Sequence, residues 1–239
     1  MNSLLETVAD ARRRRVSVEA PDNSECTLPD AYRIQAQLFG SAAPAAYKLG
    51  LTSPAKRAQM NQERPVYGRV SREMICDGNT VCLPELIQPR FEPELAVVLS
   101  SEIKPGATPG QISSAIGATF LALDVLDSVW AGYRFSLPQV VADNTSGGMF
   151  VLGQRAYDTI PAGYLTVRFN GTVISGGELS EIGDPLGNLA WLATDVGGLR
   201  RGQTVFLGSP VAASPARRGL VEVEGPGGYK LDVRFVEEL

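Results

Sequence analysis

Two glutamates stand one residue apart in Gln88-Pro-Arg-Phe-Glu92-Pro-Glu94-Leu-Ala-Val-Val-Leu, at the head of an apolar run. In an extended chain residues i and i+2 share a face, so Glu92 and Glu94 project together. Adjacent carboxylates repel unless they are solvated, protonated or bridged by a cation. Taken alone, such a pair reads as a solvated strand end. A third carboxylate argues against that: Asp124 lies inside Phe120-Leu-Ala-Leu-Asp-Val-Leu-Asp127, where an unpaired charge is costly and needs a partner. The 239-residue chain has no histidine. Imidazole-based zinc sites and Ser-His or Cys-His catalysis are therefore excluded. A metal site here should be built from oxygen, and three carboxylates fit a hard ion such as Mg²⁺, Mn²⁺ or Ca²⁺.

Without histidine, acid–base work falls to carboxylates, Lys, Tyr or Cys. Lys48 sits in Ala-Ala-Tyr-Lys-Leu-Gly-Leu-Thr, an apolar, strand-like segment in which a lysine must be paired or snorkel outwards. Desolvation there predicts a lowered pKa and a proton-transfer role. The turn Ala142-Asp-Asn-Thr-Ser-Gly-Gly148 is rich in hydrogen-bonding groups and offers donors to a ligand carboxylate, although most such segments are only turns. Arg12-Arg13-Arg14-Arg15 reads as the exposed end of a first helix rather than a phosphate site.

These residues need elements to hold them. Helical spacing from Ser3 to Arg14, a capping-box-like start at Thr27-Leu-Pro-Asp30, and Ser53-Pro54 predict three helices in the first part of the chain. Thr108-Pro109 and Asp184-Pro185 open two more, the last ending at Gly197-Gly198. The period then changes to two over 92–99, 120–127, 164–170, 204–208, 220–224 and 229–236, which predicts strands. Asn170-Gly171 marks a type I′ hairpin. Strands that cluster instead of alternating with helices disfavour a doubly wound sheet. They favour an α+β protein with a mixed β-roll or barrel, read as one domain over 1–239, with a mainly helical N-terminal lobe (1–80) and a β-roll (81–239).

A net charge of −4 from 22 Lys+Arg and 26 Asp+Glu argues against nucleic-acid binding. Cys26, Cys76 and Cys82 show no CxxC spacing, and their odd number suits a reduced, cytoplasmic setting. No signal-peptide pattern or long apolar run is present, so no membrane association is expected.

Several segments in order carry a resemblance: Tyr47-Lys-Leu-Gly-Leu-Thr-Ser-Pro54, Tyr67-Gly68, Ile87-Gln-Pro-Arg-Phe-Glu-Pro-Glu94, Ala122-Leu-Asp-Val-Leu-Asp-Ser128, Ala142-Asp-Asn-Thr-Ser146 and Asp184-Pro-Leu-Gly-Asn-Leu-Ala-Trp-Leu-Ala193. Together they resemble the 2-keto-4-pentenoate hydratase / 4-oxalocrotonate decarboxylase group of the fumarylacetoacetate hydrolase superfamily, over nearly the whole chain. The resemblance implies a mixed β-roll, Mg²⁺ or Mn²⁺ on Glu92, Glu94 and Asp124, Lys48 as the catalytic lysine, and a small 2-oxo acid substrate. Leu51, Thr52, Tyr67, Gln88, Asn144, Ser146 and Ser209 fall in or beside the matching segments and are expected to line the substrate pocket. It also implies a homo-oligomer and allows a complex with a related family member.

The departures from the pattern carry information. Asp124 stands where close relatives have Glu, Val66 where an acid precedes the aromatic, and Leu207-Gly208-Ser209 where Ser-Gly-Ser is common. The implied activity is a metal-dependent hydratase giving a 4-hydroxy-2-oxo acid. Decarboxylase, tautomerase and C–C hydrolase chemistry on a related oxo acid stay open, as does a non-catalytic partner role, because Val66 cannot transfer a proton.

Overall fold

The computed structural model describes residues 2–21, 26–59 and 61–238. Helices are α1 (Asn2–Arg14), α2 (Leu28–Phe39), α3 (Pro54–Gln59), α4 (Pro109–Ala115), α5 (Leu137–Ala142) and α6 (Pro185–Asp195). Strands are β1 (Ala46–Gly50), β2 (Val66–Val70), β3 (Thr80–Cys82), β4 (Arg90–Leu99), β5 (Ile116–Leu126) and β6 (Gly147–Tyr157), followed by β7 (Tyr164–Phe169), β8 (Thr172–Glu178), β9 (Thr204–Phe206), β10 (Ser214–Pro215), β11 (Gly219–Gly225) and β12 (Tyr229–Val236).

Local chemistry accounts for the boundaries. Thr27 and Asp30 close a reciprocal capping box on α2, as Thr108 and Gln111 do on α4. Asp184 accepts from the Gly187 N–H at 3.0 Å to cap α6. Asn170 and Gly171, at φ 49° and 80°, make the tight turn between β7 and β8, and both need the left-handed region that these residue types tolerate.

A mixed, seven-stranded sheet runs β2-β1-β9-β4-β5-β6, with β10 added to β4. A five-stranded sheet runs β3-β12-β11-β7-β8. They pack through one core in which Leu95, Val97, Leu121, Leu123, Val125 and Val151 of the first sheet meet Leu165, Val167, Val221, Val223, Val233 and Phe235 of the second. This is the predicted α+β class, in the form of two open sheets and not a closed barrel. The first eighty residues supply α1, α2 and α3 but also β1 and β2, which complete the large sheet. A second cluster, with Leu4, Val8 and Ala11 of α1, Ala31 and Ile34 of α2, and Val66, Trp130 and Val141, mounts the helices on that end. Among the described residues no helix is long and apolar enough to cross a membrane. The three cysteines are free thiols.

Candidate active site

The site lies on the face of the large sheet turned away from the main core. Register places the acids: Glu92 is opposite Asp124 and Glu94 opposite Ala122 in the antiparallel β4–β5 pair. Glu92, Glu94 and Asp124 therefore share one face, as the i, i+2 spacing requires. Phe91 and Leu95 point the other way, into the core. Lys48 on β1 pairs with Gly68 on one side and Phe206 on the other, on that same face.

Lys48 Nζ lies 2.6 Å from Asp124 Oδ2 although β1 and β5 are three strands apart in the order. In a flat sheet they would be about 14 Å apart, more than the two side chains span. The sheet therefore curls around this face, which is the roll expected from the sequence. Lys48 also donates to the Thr145 carbonyl at 3.0 Å. Lys48, Glu94 and Asp124 are 4, 1 and 0% exposed.

This burial sets the electrostatics. Burial pushes the Glu94 carboxyl well above its usual range, with Asp124 and Glu92 adding to the rise and Lys48 and the Gly208 N–H opposing it. Asp124 is also raised by burial, against Lys48. For Lys48, burial alone would lower the pKa, but Asp124, Glu94 and Glu92 outweigh it and hold the ammonium above its usual value. The lowered pKa predicted from the apolar neighbours is thus corrected: those neighbours flank Lys48 along the chain, whereas three acids face it across the sheet.

Lys48 Nζ serves Asp124 Oδ2, and Asp124 Oδ1 has no donor among the described residues. Glu94 Oε2 accepts from the Gly208 N–H at 3.0 Å. A buried carboxylate short of donors, facing two more carboxylates, is a donor set suited to a hard cation. With Lys48 against Asp124, no three acid or cysteine side chains among the described residues stand close enough together to hold an ion as they are.

The remaining predicted positions divide. Val66 is buried on the Lys48 face, one residue pair beyond Gly68. Thr52 and Ser209 are buried beside this region; the Thr52 hydroxyl occupies the space that a Cβ on Gly208 would need, leaving no room for a side chain there. Leu51, at φ 55°, packs on the helical cluster. Ser146 is buried, with its hydroxyl 3.5 Å from Asp143. Asn144 bonds both the N–H and the carbonyl of Arg69, at 2.8 and 2.7 Å, and thereby ties the turn to β2. Gln88 donates to the Ser128 and Trp130 carbonyls and accepts from the Gly132 N–H, so its amide braces the 128–132 loop. Tyr67 points to the opposite face, stacked on Tyr32 at 4.5 Å with its hydroxyl pKa pushed up to about 12, chiefly by burial. The structure does not bring Tyr67 to the acids, because its strand neighbours Val66 and Gly68 take the Lys48 face.

Two supports escaped the sequence reading. Asn144, Thr145 and Ser146 all have φ between 52° and 53°, a strained run that turns the Thr145 carbonyl towards Lys48. Behind it, Arg12 binds Asp127 at 3.0 Å and Asp143 at 2.6 Å. Asp127 in turn accepts from the Ile87 and Gln88 N–H groups, and Asp143 from Ser128 and the Val129 N–H. Arg12 is therefore a half-buried brace between α1 and the site loops, not the exposed helix end predicted from the arginine run. The only advance sign was Asp127, an acid inside an apolar motif.

The sequence profile of the fumarylacetoacetate (FAA) hydrolase C-terminal family matches residues 37–231. A 4-oxalocrotonate decarboxylase of Pseudomonas putida is 31% identical over 236 residues, 90% of this chain and 88% of that protein. A 2-keto-4-pentenoate hydratase of Burkholderia vietnamiensis is 32% identical over 197 residues, 77% of this chain and 75% of that protein. The solved 4-oxalocrotonate decarboxylase of Pseudomonas putida G7, complexed with magnesium and adipate, superposes with a TM-score of 0.86 at 29% identity, covering 98% of this chain and 96% of that one. With this extent of match in sequence and in fold, the chain belongs to the fumarylacetoacetate hydrolase C-terminal family.

Proposed function

We propose that this protein is a divalent-metal-dependent lyase acting on a small 2-oxo or 2-hydroxydienoate acid, with Mg²⁺ or Mn²⁺ held by Glu92, Glu94 and Asp124. The observation that carries the reading is the face shared by three carboxylates, with Asp124 buried and short of donors and Lys48 against it. An ion bound there would supply Lewis acidity to the carboxylate and 2-oxo oxygens of the substrate.

This chain's own residues do the rest. Lys48 Nζ, steadied by the Thr145 carbonyl, is placed to move a proton on the substrate carbon chain as enol and keto forms exchange. Glu94 is fixed by the Gly208 N–H, and the burial of Lys48, Glu94 and Asp124 excludes water from the reacting end. Hydration of a 2-hydroxydienoate adds H and OH across the terminal double bond and gives a 4-hydroxy-2-oxo acid. The second reading, decarboxylation of a 2-oxo-enedioate, is favoured by Val66, an apolar side chain on the Lys48 face where an acid would serve to activate water. Loss of CO₂ needs only enolate stabilisation and one protonation, which Lys48 can provide. The protein is further expected to work as a homo-oligomer of this 25.5 kDa chain.

Calorimetric titration with Mn²⁺ and Mg²⁺ tests the site. One ion per chain should bind to the native protein and none to Glu94→Gln; equal affinity in the two would refute the assignment.

A further inference from the structure

The row of side chains on the site face of β4 does not end at Glu92. Arg90, two residues earlier, leans to the same side, while Phe91 between them turns inward onto Phe235 at 5.6 Å. Burial falls along this row: Glu94 is buried, whereas Glu92 and Arg90 are half-exposed. It therefore runs from the closed end of the site to its rim.

Arg90 is held without an acid. Its guanidinium lies 4.1 Å over the ring of Tyr133, and it makes no ion pair among the described residues. Tyr133 is itself constrained: it sits at φ 60°, after Gly132 at 63°, and its hydroxyl donates to the Gln88 carbonyl at 3.2 Å. A tyrosine in the left-handed region is strained, so its neighbours must hold it there. Stacking covers the face of the guanidinium and leaves its N–H edge available, the edge that binds a carboxylate bidentately. Two strand residues advance about 7 Å, the scale of a short dicarboxylic acid.

We propose that Arg90, braced on Tyr133, is a specificity-determining residue that receives the distal carboxylate of a dicarboxylate substrate whose 2-oxo acid end sits at Glu92, Glu94 and Asp124. This rests on the lyase reading above and narrows it to substrates with a second anionic end. A monocarboxylate fills only the inner part of the row and leaves Arg90 to solvent.

The experiment has a binding arm and a turnover arm. Adipate and hexanoate, equal in length and differing in one carboxylate, are titrated calorimetrically into the Mg²⁺-loaded native protein, Arg90→Gln and Arg90→Lys. Native protein should prefer adipate, and Arg90→Gln should weaken adipate by about 10- to 100-fold, the range for charge-assisted hydrogen bonds, while leaving hexanoate within twofold. Arg90→Lys should fall between, because a point charge lacks the fork. In turnover, Arg90→Gln should raise KM for 2-oxohex-3-enedioate by a similar factor without lowering kcat, because the carboxylate that Arg90 holds is the one that leaves as CO₂ and the contact is lost towards the transition state; it should spare 2-hydroxypenta-2,4-dienoate. Equal losses on both partners of either comparison, no adipate preference in the native protein, or no adipate binding at all would overturn the proposal. If the native protein turns over neither acid but loses its adipate preference in Arg90→Gln, the dicarboxylate site stands and the lyase reading fails.

Discussion

Replacing Arg12 with Ala removes the one cation that, among the described residues, pairs with the buried acids Asp127 and Asp143. Arg12 Nη1 and Nη2 meet Asp127 and Asp143 at 3.0 and 2.6 Å, and the two carboxylate side chains are 5 and 0% exposed. Removing one partner of a buried pair costs about 3–5 kcal/mol. Arg12 is 30% exposed, and each acid keeps other donors, so solvent screening reduces the expected loss to about 2–3 kcal/mol. The loss should depend on pH. Burial raises the folded-state pKa of Asp143, with Arg12 the leading group opposing the rise. A carboxyl raised in the folded state contributes stability that is complete below its unfolded pKa, near 3.9, and is lost as pH climbs through the folded value. Without Arg12 that folded value rises further, so the deficit should be largest at pH 7–8 and shrink towards pH 5. Urea unfolding followed by fluorescence of the two tryptophans measures this. Adding Asp143→Asn to the variant should recover part of the loss and flatten its pH dependence. A deficit below about 0.5 kcal/mol at pH 7, or one equal at pH 5 and pH 8, would refute the reasoning.

Gly208→Ala should destabilise by about 1–3 kcal/mol, because φ there is 93° and a Cβ would clash with the buried Thr52 hydroxyl; an unchanged Tm would contradict this. Lys48→Ala should lower kcat by roughly 10²–10⁴ with metal affinity retained, and Lys48→Arg should not restore it, since guanidinium stays protonated; near-native turnover would remove Lys48 from the mechanism. Val66→Asp puts an acid on the Lys48 face and should raise the ratio of hydration to decarboxylation, read by product analysis; an unchanged ratio would mean that position 66 does not select the reaction.

Much of this was legible in the sequence because its causes are local. Thr27 with Asp30, Thr108 with Gln111, and Asn170-Gly171 act over three residues or fewer, and the elements begin or turn there. Glu92 and Glu94 on one face follow from the pleat of a single strand. What stayed hidden depends on partners far along the chain. Strand β6 opens with Gly147-Gly148 and ends in Gln154-Arg155-Ala156-Tyr157, so it has no clean period of two; pairing with β5 makes it a strand. Strands β2, β3 and β10 and helix α5 are short and went unpredicted for the same reason. Arg12 finds its acids 115 and 131 residues away, so an arginine run looked like surface. The sign of the Lys48 shift is not legible in its segment, because neighbours in sequence are not neighbours across a curled sheet. Tyr133 at positive φ has no sequence signal, as aromatic residues seldom adopt it.

The most direct test of the lyase reading is turnover after chelation. The protein is stripped of divalent ions, then assayed on 2-hydroxypenta-2,4-dienoate by loss of diene absorbance and on 2-oxohex-3-enedioate by CO₂ release, before and after Mg²⁺ or Mn²⁺ is restored. The account predicts no turnover by the stripped protein and recovery with one ion per chain. Full turnover by the metal-free protein, or none on either acid with metal bound, would contradict it.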